Sequence, residues 1–314
     1  MKDLADYAKA QKTTGLIVVK DGRTLIEENW PLSPGSEQFA TLFARGTTST
    51  GALREDVASQ QKSLIALLAG IAIDRGLLDV ALPVSSFIGE GWTKALPDQE
   101  RAITVQHLLE MTSGLKESLE VEAPAGTKFF YNTPAYARLQ RVLEVASGQK
   151  LDTLTRAWLT GPLGMADTEW RRRPAALAQA SGNAWGLETA PRDLVKLGEL
   201  ILGRGKGLIS ETQLDAVFRP TATNPAYGRL WWLNNGEWWI DVTSIRHDGQ
   251  SVPGAPADLV QGLGAQGRIL GVVPSRKLIV VRLGQQPPDA DFRTQFWHRV
   301  MAALRAAAPR SARR

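Results

Sequence analysis

Asp56-Val57-Ala58-Ser59-Gln60-Gln61-Lys62-Ser63-Leu64-Ile65-Ala66-Leu67-Leu68-Ala69-Gly70-Ile71-Ala72-Ile73 carries a single charge between Val57 and Ile73, that of Lys62. Asp56 can cap a helix that starts here, and the apolar run from Leu64 makes that helix hydrophobic on all sides, hence buried. Residues i and i+3 share a helix face, so Lys62 stands beside Ser59. Burial disfavours an ammonium and lowers its pKa, and a neutral amine so placed can accept the serine proton. The helix N-terminus adds free N–H groups and a positive dipole end for a developing oxyanion. The plainer alternative is a snorkelling lysine with Ser59 merely helping to start the helix. These residues alone leave both readings open.

Working outward, residues 3–11 read as a short helix. Leu16–Val19 and Thr24–Glu28 read as the arms of a β-hairpin turned by Asp21-Gly22. Leu230-Trp231-Trp232-Leu233 and Glu237-Trp238-Trp239-Ile240, joined by Asn234-Asn235-Gly236, carry a second hairpin signature. Most of these tryptophans are expected in the hairpin core. Strands follow at Arg268–Val273 and Leu278–Leu283, and a helix over 291–307 closes the chain. Between them Thr104 can cap a helix through Met111, and further helices fit 134–147, 152–160 and 191–202. The pattern predicts an α+β fold: one antiparallel β-sheet flanked by N- and C-terminal helices, with an inserted mostly helical region. The expected division is 1–58 together with 225–308 for the sheet region, 59–224 for the helical region, and 309–314 as a flexible basic tail. An active site would lie at the seam between the two regions.

Composition removes several chemistries. There is no cysteine, so thiol catalysis, disulfides and Cys-ligated metals are excluded. The three histidines, His107, His247 and His298, do not show the paired spacing of a zinc hydrolase. Neither a metal nor an organic cofactor is expected. Of the net charge of +5, four charges belong to Arg305, Arg310, Arg313 and Arg314, with no acid after residue 300. The basic character is therefore largely terminal, and no nucleic-acid partner is expected. No stretch approaches the roughly 20 apolar residues of a membrane span. The first residues, Met1-Lys2-Asp3-Leu4-Ala5-Asp6-Tyr7, lack an apolar signal core, which fits a cytoplasmic protein or one whose leader has been removed.

A serine nucleophile remains. The Gly-x-Ser-x-Gly elbow is absent, whereas Ser-x-x-Lys occurs three times, at Ser59–Lys62, Ser113–Lys116 and Ser147–Lys150. Ser113 and Ser147 are each followed by glycine at the end of an apolar helical pattern and read as helix stops. Only Ser59 opens a buried helix.

Three segments together resemble the class C β-lactamase superfamily: Asp56 to Ser63, Gly76-Leu77-Leu78-Asp79, and Ile103-Thr104-Val105-Gln106-His107-Leu108-Leu109-Glu110-Met111-Thr112-Ser113-Gly114-Leu115. That superfamily includes D-alanyl-D-alanine carboxypeptidases, family VIII carboxylesterases and 6-aminohexanoate-oligomer hydrolases. The likeness runs from about Gly15 to Gly284 and implies a penicillin-binding-protein-like fold with Ser59 as nucleophile and Lys62 as its base. It also implies that His107 packs a helix. In Gly126-Thr127-Lys128-Phe129-Phe130-Tyr131-Asn132-Thr133-Pro134-Ala135-Tyr136, Tyr131 aligns with the family's proton-relaying tyrosine, and Thr133 stands where asparagine is usual. The family's Lys-Thr-Gly strand is matched by Gly262-Leu263-Gly264, which keeps only the glycine. By the same resemblance the N–H groups of Ser59 and Ala265 form the oxyanion hole. Arg268 either restores a positive charge for substrate or braces the Gly264–Arg268 turn, with bracing favoured.

The expected function is a serine hydrolase that works through an acyl-enzyme on small esters or amides, closest to a carboxylesterase. Thr133, Gly262, Leu263, Gly264 and Arg268 are its candidate substrate contacts. The alternatives are a β-lactamase or D-alanyl-D-alanine carboxypeptidase acting on lactams or peptides, and a non-catalytic binding protein on the same fold. The losses at Thr133 and Gly262-Leu263 weigh against efficient lactam turnover, since a charge-assisted carboxylate contact is worth roughly 1.5–3 kcal/mol. The oligomeric state is not legible.

Overall fold

The run Leu16-Ile17-Val18-Val19 lies in a strand buried on both faces, and the molecule is layered around it. A computed structural model describes residues 1–307; the expected basic tail at 309–314 lies outside the described residues. The strands are β1 (Thr13–Lys20), β2 (Arg23–Asn29), β3 (Ala44–Thr47), β4 (Leu53–Asp56), β5 (Glu169–Arg172), β6 (Trp185–Thr189), β7 (Trp232–Leu233), β8 (Trp238–Ile240), β9 (Arg246–Asp248), β10 (Val260–Gly264), β11 (Arg268–Val273) and β12 (Leu278–Gly284). A six-stranded antiparallel sheet runs β2-β1-β12-β11-β10-β7, so the two ends of the chain pair directly, β1 against β12. A four-stranded sheet, β3-β4-β6-β5, ties the residues before Ser59 to 169–189.

Alternation along the central strands sorts side chains into two cores. Leu16, Val18, Leu278 and Val280 face helices α1 (Lys2–Ala10) and α5 (Phe292–Ala307), where they meet Leu4, Ala8, Phe292, Phe296, Trp297 and Val300. Ile17, Val19, Ile279 and Val281 face the opposite way, into the larger core. That core holds α2 (Gln61–Asp74), α3 (Arg138–Ser147) and α4 (Pro191–Leu202). Each fully buried Leu, Ile or Phe here contributes about 1.5–3 kcal/mol. The fold is thus α+β and β-lactamase/transpeptidase-like, an antiparallel sheet with terminal helices on one face and helical structure on the other.

Local chemistry explains the boundaries. In the β1–β2 turn Asp21 and Gly22 both have positive φ, 50° and 73°, as a two-residue hairpin requires. Thr104 caps the helix Val105–Leu109, and His107 completes the box by accepting the Thr104 N–H at Nδ1, 3.1 Å away. His107 is therefore a structural residue, and partial burial lowers its pKa.

The tryptophan hairpin expected over 230–240 does not form. Trp232–Leu233 pairs with β10, whereas Trp238–Ile240 pairs with β9 in a separate ribbon. Asn234, expected in the turn, is fully buried, and its amide donates to the carbonyls of Val252, Ala255 and Pro256. Those carbonyls turn the chain away, and the long-range bonds outweigh local turn preference. Trp231 is buried with its indole N–H on the Ser63 carbonyl, so it packs under helix α2 instead of in a hairpin.

Candidate active site

β4 ends at Asp56, and a short 3-10 turn, Ala58–Gln60, leads into α2. Asp56 Oδ1 accepts the Ala58 N–H at 2.8 Å, which helps hold Ala58 at a φ of 50°. A left-handed non-glycine residue costs about 1–2 kcal/mol, and here it turns the chain so that Ser59 faces a cavity. Twelve consecutive residues of α2, Gln61 to Ala72, are buried, which fixes the helix rigidly behind the serine.

Lys62 Nζ lies 3.0 Å from Ser59 Oγ. The lysine is 2% exposed and, among the described residues, has no carboxylate partner. Its nitrogen sits 4.9 Å from the centre of the Tyr131 ring and 4.7 Å from that of Tyr136. Burial, with the Arg173 charge adding to it, brings the Lys62 pKa down to about 7. Burial pushes the Tyr131 phenol up to about 12, with the neighbouring Ser59 side chain pulling the other way. At neutral pH the tyrosine therefore keeps its proton, while the lysine is poised to give one up or take one. Tyr131 is held by stacking on Trp232 at 5.9 Å and by an edge contact with Tyr227 at 6.3 Å.

A cavity of about 560 Å³ opens over these groups, lined among others by Ser59, Lys62, Thr133, Arg173, Glu117 and Ala265. Ala265 begins the turn after β10, and that strand runs hard against the Val57–Gln60 turn that carries Ser59. A Cβ on Gly264 would stand 2.3 Å from the Val57 carbonyl oxygen, and one on Gly262 would stand 2.9 Å from Ser63 Oγ. Glycine is required at 264 because the two backbones touch there, whereas at 262 it leaves room for the Ser63 side chain. Gln60 reinforces the approach by donating to the Gly262 carbonyl at 3.1 Å.

Residues 4–305 match the family model described as beta-lactamase. The chain belongs to the beta-lactamase family. Solved structures of similar fold include a beta-lactamase from Mycobacterium bovis, 19% identical with a TM-score of 0.68, over 96% of this chain and 98% of that one. EstCE1, a hydrolase with promiscuous acyltransferase activity, is 18% identical with a TM-score of 0.68, over 95% and 98%. A class C beta-lactamase in complex with cefoxitin is 16% identical with a TM-score of 0.67, over 96% and 99%. No curated protein sequence matches.

In this beta-lactamase-family chain Ser59, Lys62, Thr133 and Ala265 meet at one cavity, and the Tyr131 ring lies beside Lys62, its centre 4.9 Å from Nζ. Gly262, Leu263 and Gly264 do not line that cavity. Gly264 serves the close backbone approach, Gly262 accommodates the Ser63 side chain, and Leu263 packs against both hydrophobic cores. Arg268, a candidate substrate contact in the sequence, is corrected. It is 0% exposed, donates to Glu55 Oε2 at 2.9 Å and to the Ala265 carbonyl at 2.7 Å, and so braces the turn without presenting charge to a ligand. Arg282, also buried, donates to the next carbonyl, that of Gln266, and burial lowers its pKa to about 9.

The two other Ser-x-x-Lys matches are local turns. Ser113 Oγ accepts the Leu115 N–H, Ser147 Oγ donates to the Leu143 carbonyl, and both Lys116 and Lys150 are exposed. Asn132 is buried and faces inward, capping the helix Thr133–Tyr136 and donating to the carbonyls of Leu115 and Lys116. Thr133 is thereby left at the cavity wall. Sequence reasoning missed Arg173, Glu55 and Arg282. Arg173 reaches Asp56 across 117 residues, and Glu55 reaches Arg268 across 213, with no local signal that pairs them. Among the described residues no group of three or more His, Asp or Glu side chains is placed to hold a metal ion.

Proposed function

We propose that the protein is an acyl hydrolase of neutral esters and small amides, with Ser59 as nucleophile, Lys62 as base and Tyr131 as proton donor. The observation that carries this reading is the buried Lys62 amine, 3.0 Å from Ser59 Oγ and without a carboxylate partner among the described residues. A lysine so placed is costly as a structural element and useful as a neutral base. Its lone pair takes the Ser59 proton as Oγ adds to the substrate carbonyl. The oxyanion that forms is held by the N–H groups of Ser59 and Ala265. Collapse breaks the bond to the leaving group, which receives a proton from Tyr131, and Tyr131 regains one from the Lys62 ammonium. Water then adds to the acyl-enzyme by the same proton route, releasing the acid and restoring Ser59.

The charge around the cavity supports neutral substrates over carboxylate-bearing lactams. The cations lining it are Lys62, engaged with the nucleophile, and Arg173, engaged at two points with Asp56. The other ionisable side chain of the lining is the acid Glu117. Among the described residues a substrate carboxylate finds no free cation there, and no hydroxyl from the strand that carries Gly262-Leu263-Gly264. EstCE1, a hydrolase with promiscuous acyltransferase activity, fits an acyl-enzyme route on this fold.

The test is turnover of p-nitrophenyl acetate, p-nitrophenyl butyrate and nitrocefin by wild type and Ser59→Ala. Ester hydrolysis that vanishes in the variant and outruns nitrocefin hydrolysis supports the reading. Equal ester turnover in both proteins ends it, and nitrocefin hydrolysis on a par with the esters reverses the substrate preference.

A further inference from the structure

Asp56 and Arg173 form a two-point ion pair, Nε to Oδ2 at 2.7 Å and Nη2 to Oδ1 at 2.9 Å. Their side chains are 2% and 3% exposed. Space for the pair is kept by Gly186, where a Cβ would stand 2.2 Å from Asp56 Oδ2. For stability alone, apolar packing would serve as well, because the desolvation of two buried charges commonly matches or exceeds their attraction. The pair is joined instead to three parts of the site. The Asp56 oxygen that meets Nη2 also accepts the Ala58 N–H, immediately before Ser59. Arg173 Nη1 donates to Ser181 Oγ and to the Asn183 carbonyl, both at 3.3 Å, and Ser181 is in the cavity wall. Arg173 itself lines the cavity that Lys62 also lines.

We propose that the Asp56–Arg173 pair is the positioning device of the nucleophile turn, with Asp56 fixing the Ala58–Ser59 backbone and Arg173 setting the positive field in which Lys62 works. This rests on the reading of Lys62 as the base. The pair is neutral as a whole, and its cationic end, Arg173, is the one that lines the cavity together with Lys62. The other groups facing Lys62 are Ser59 Oγ and the rings of Tyr131 and Tyr136, both phenols kept neutral because burial raises their pKa values. Glu55 and Arg268, behind the turn, are paired with each other, and Glu117 is exposed at the cavity rim. Arg173 is thus the cation that opposes protonation of Lys62, consistent with the direction in which it moves the lysine.

The experiment is a direct titration of Lys62 by NMR in protein labelled with 13Cε-lysine, its resonance assigned by its absence in Lys62→Met. Three variants are compared with wild type: Arg173→Lys, Arg173→Gln, and the double Asp56→Asn/Arg173→Gln, which leaves no unpaired buried charge should the single variant unfold. Removing the Arg173 charge relieves the ammonium, so the Lys62 midpoint rises by about half a pH unit or more in both glutamine variants. The acid limb of p-nitrophenyl butyrate hydrolysis moves up with it. Arg173→Lys keeps the charge and leaves the midpoint near the wild-type value, while loss of the two-point fork lowers kcat. A Lys62 midpoint in the double variant within about 0.2 pH units of wild type overturns the proposal, because a merely structural pair changes activity without moving the titration. The titration reads Lys62 whether or not Ser59 is the nucleophile. Failure of the hydrolase reading therefore shows separately, as ester turnover that survives Ser59→Ala.

Discussion

Lys62 Nζ stands 3.0 Å from Ser59 Oγ, inside a helix whose residues are buried from Gln61 to Ala72. The same burial that depresses the lysine pKa also costs the fold. Its folded value of about 7 lies below its ordinary value of 10.5, so the unfolded chain binds this proton more tightly. The penalty is fully present below about pH 7 and fades as pH rises toward the unfolded value. Lys62→Met is expected to abolish ester turnover while raising Tm by several degrees at pH 6–7, with a smaller gain at pH 9. Differential scanning fluorimetry across that range measures it, and a lower Tm at pH 6 contradicts the burial cost.

The same pKa sets the pH profile of the reaction. kcat/KM for p-nitrophenyl butyrate is expected to rise through an acid limb centred near pH 7 as Lys62 loses its proton. It then stays level until the Tyr131 phenol ionises, well above pH 9, since burial pushes that group up to about 12. A limb centred near pH 4–5 assigns the base to a carboxylate instead.

Much of this site was legible because it is local. Ser59 and Lys62 are three residues apart on one buried helix, and the apolar run that buries them is written in consecutive residues. Strands β1, β11 and β12, the hairpin turn at Asp21-Gly22 and helix α4 were equally readable from period and turn chemistry. The Asp56–Arg173 and Glu55–Arg268 pairs were not, because nothing near Arg173 or Arg268 marks the acid that each meets in space. The tryptophan segment misled for the converse reason: Asn234-Asn235-Gly236 is a strong local turn signal, and Asn234 spends its amide on distant carbonyls instead.

Tyr131→Phe separates proton donation from attack. In the proposed mechanism the phenol serves a leaving group that needs a proton, so the variant is expected to lose about 10²–10⁴-fold on alkyl esters and anilides. The loss on p-nitrophenyl esters, whose leaving group departs as a stable anion, is expected to be about tenfold or less. Equal losses on both substrate types remove Tyr131 from the leaving-group step.

Gly264→Ala tests the contact between β10 and the nucleophile turn. The added methyl would meet the Val57 carbonyl oxygen at 2.3 Å, and both partners are backbone, so neither yields cheaply. Destabilisation of about 1–3 kcal/mol is expected. The larger effect falls on kcat, because displacement of β10 carries Ala265 away from Ser59. Urea unfolding and steady-state kinetics measure the two effects, and unchanged kcat in the folded variant argues against an oxyanion role for Ala265.

Ser59 as a lysine-activated nucleophile is tested most directly by covalent capture. The folded protein is treated with a fluorophosphonate over pH 5–9 and digested, and the adduct is located by mass spectrometry. A single adduct on Ser59, forming faster as pH rises through about 7 and lost in Lys62→Met, is the predicted result. Labelling of another residue, or no labelling of the folded protein at pH 8–9, contradicts it.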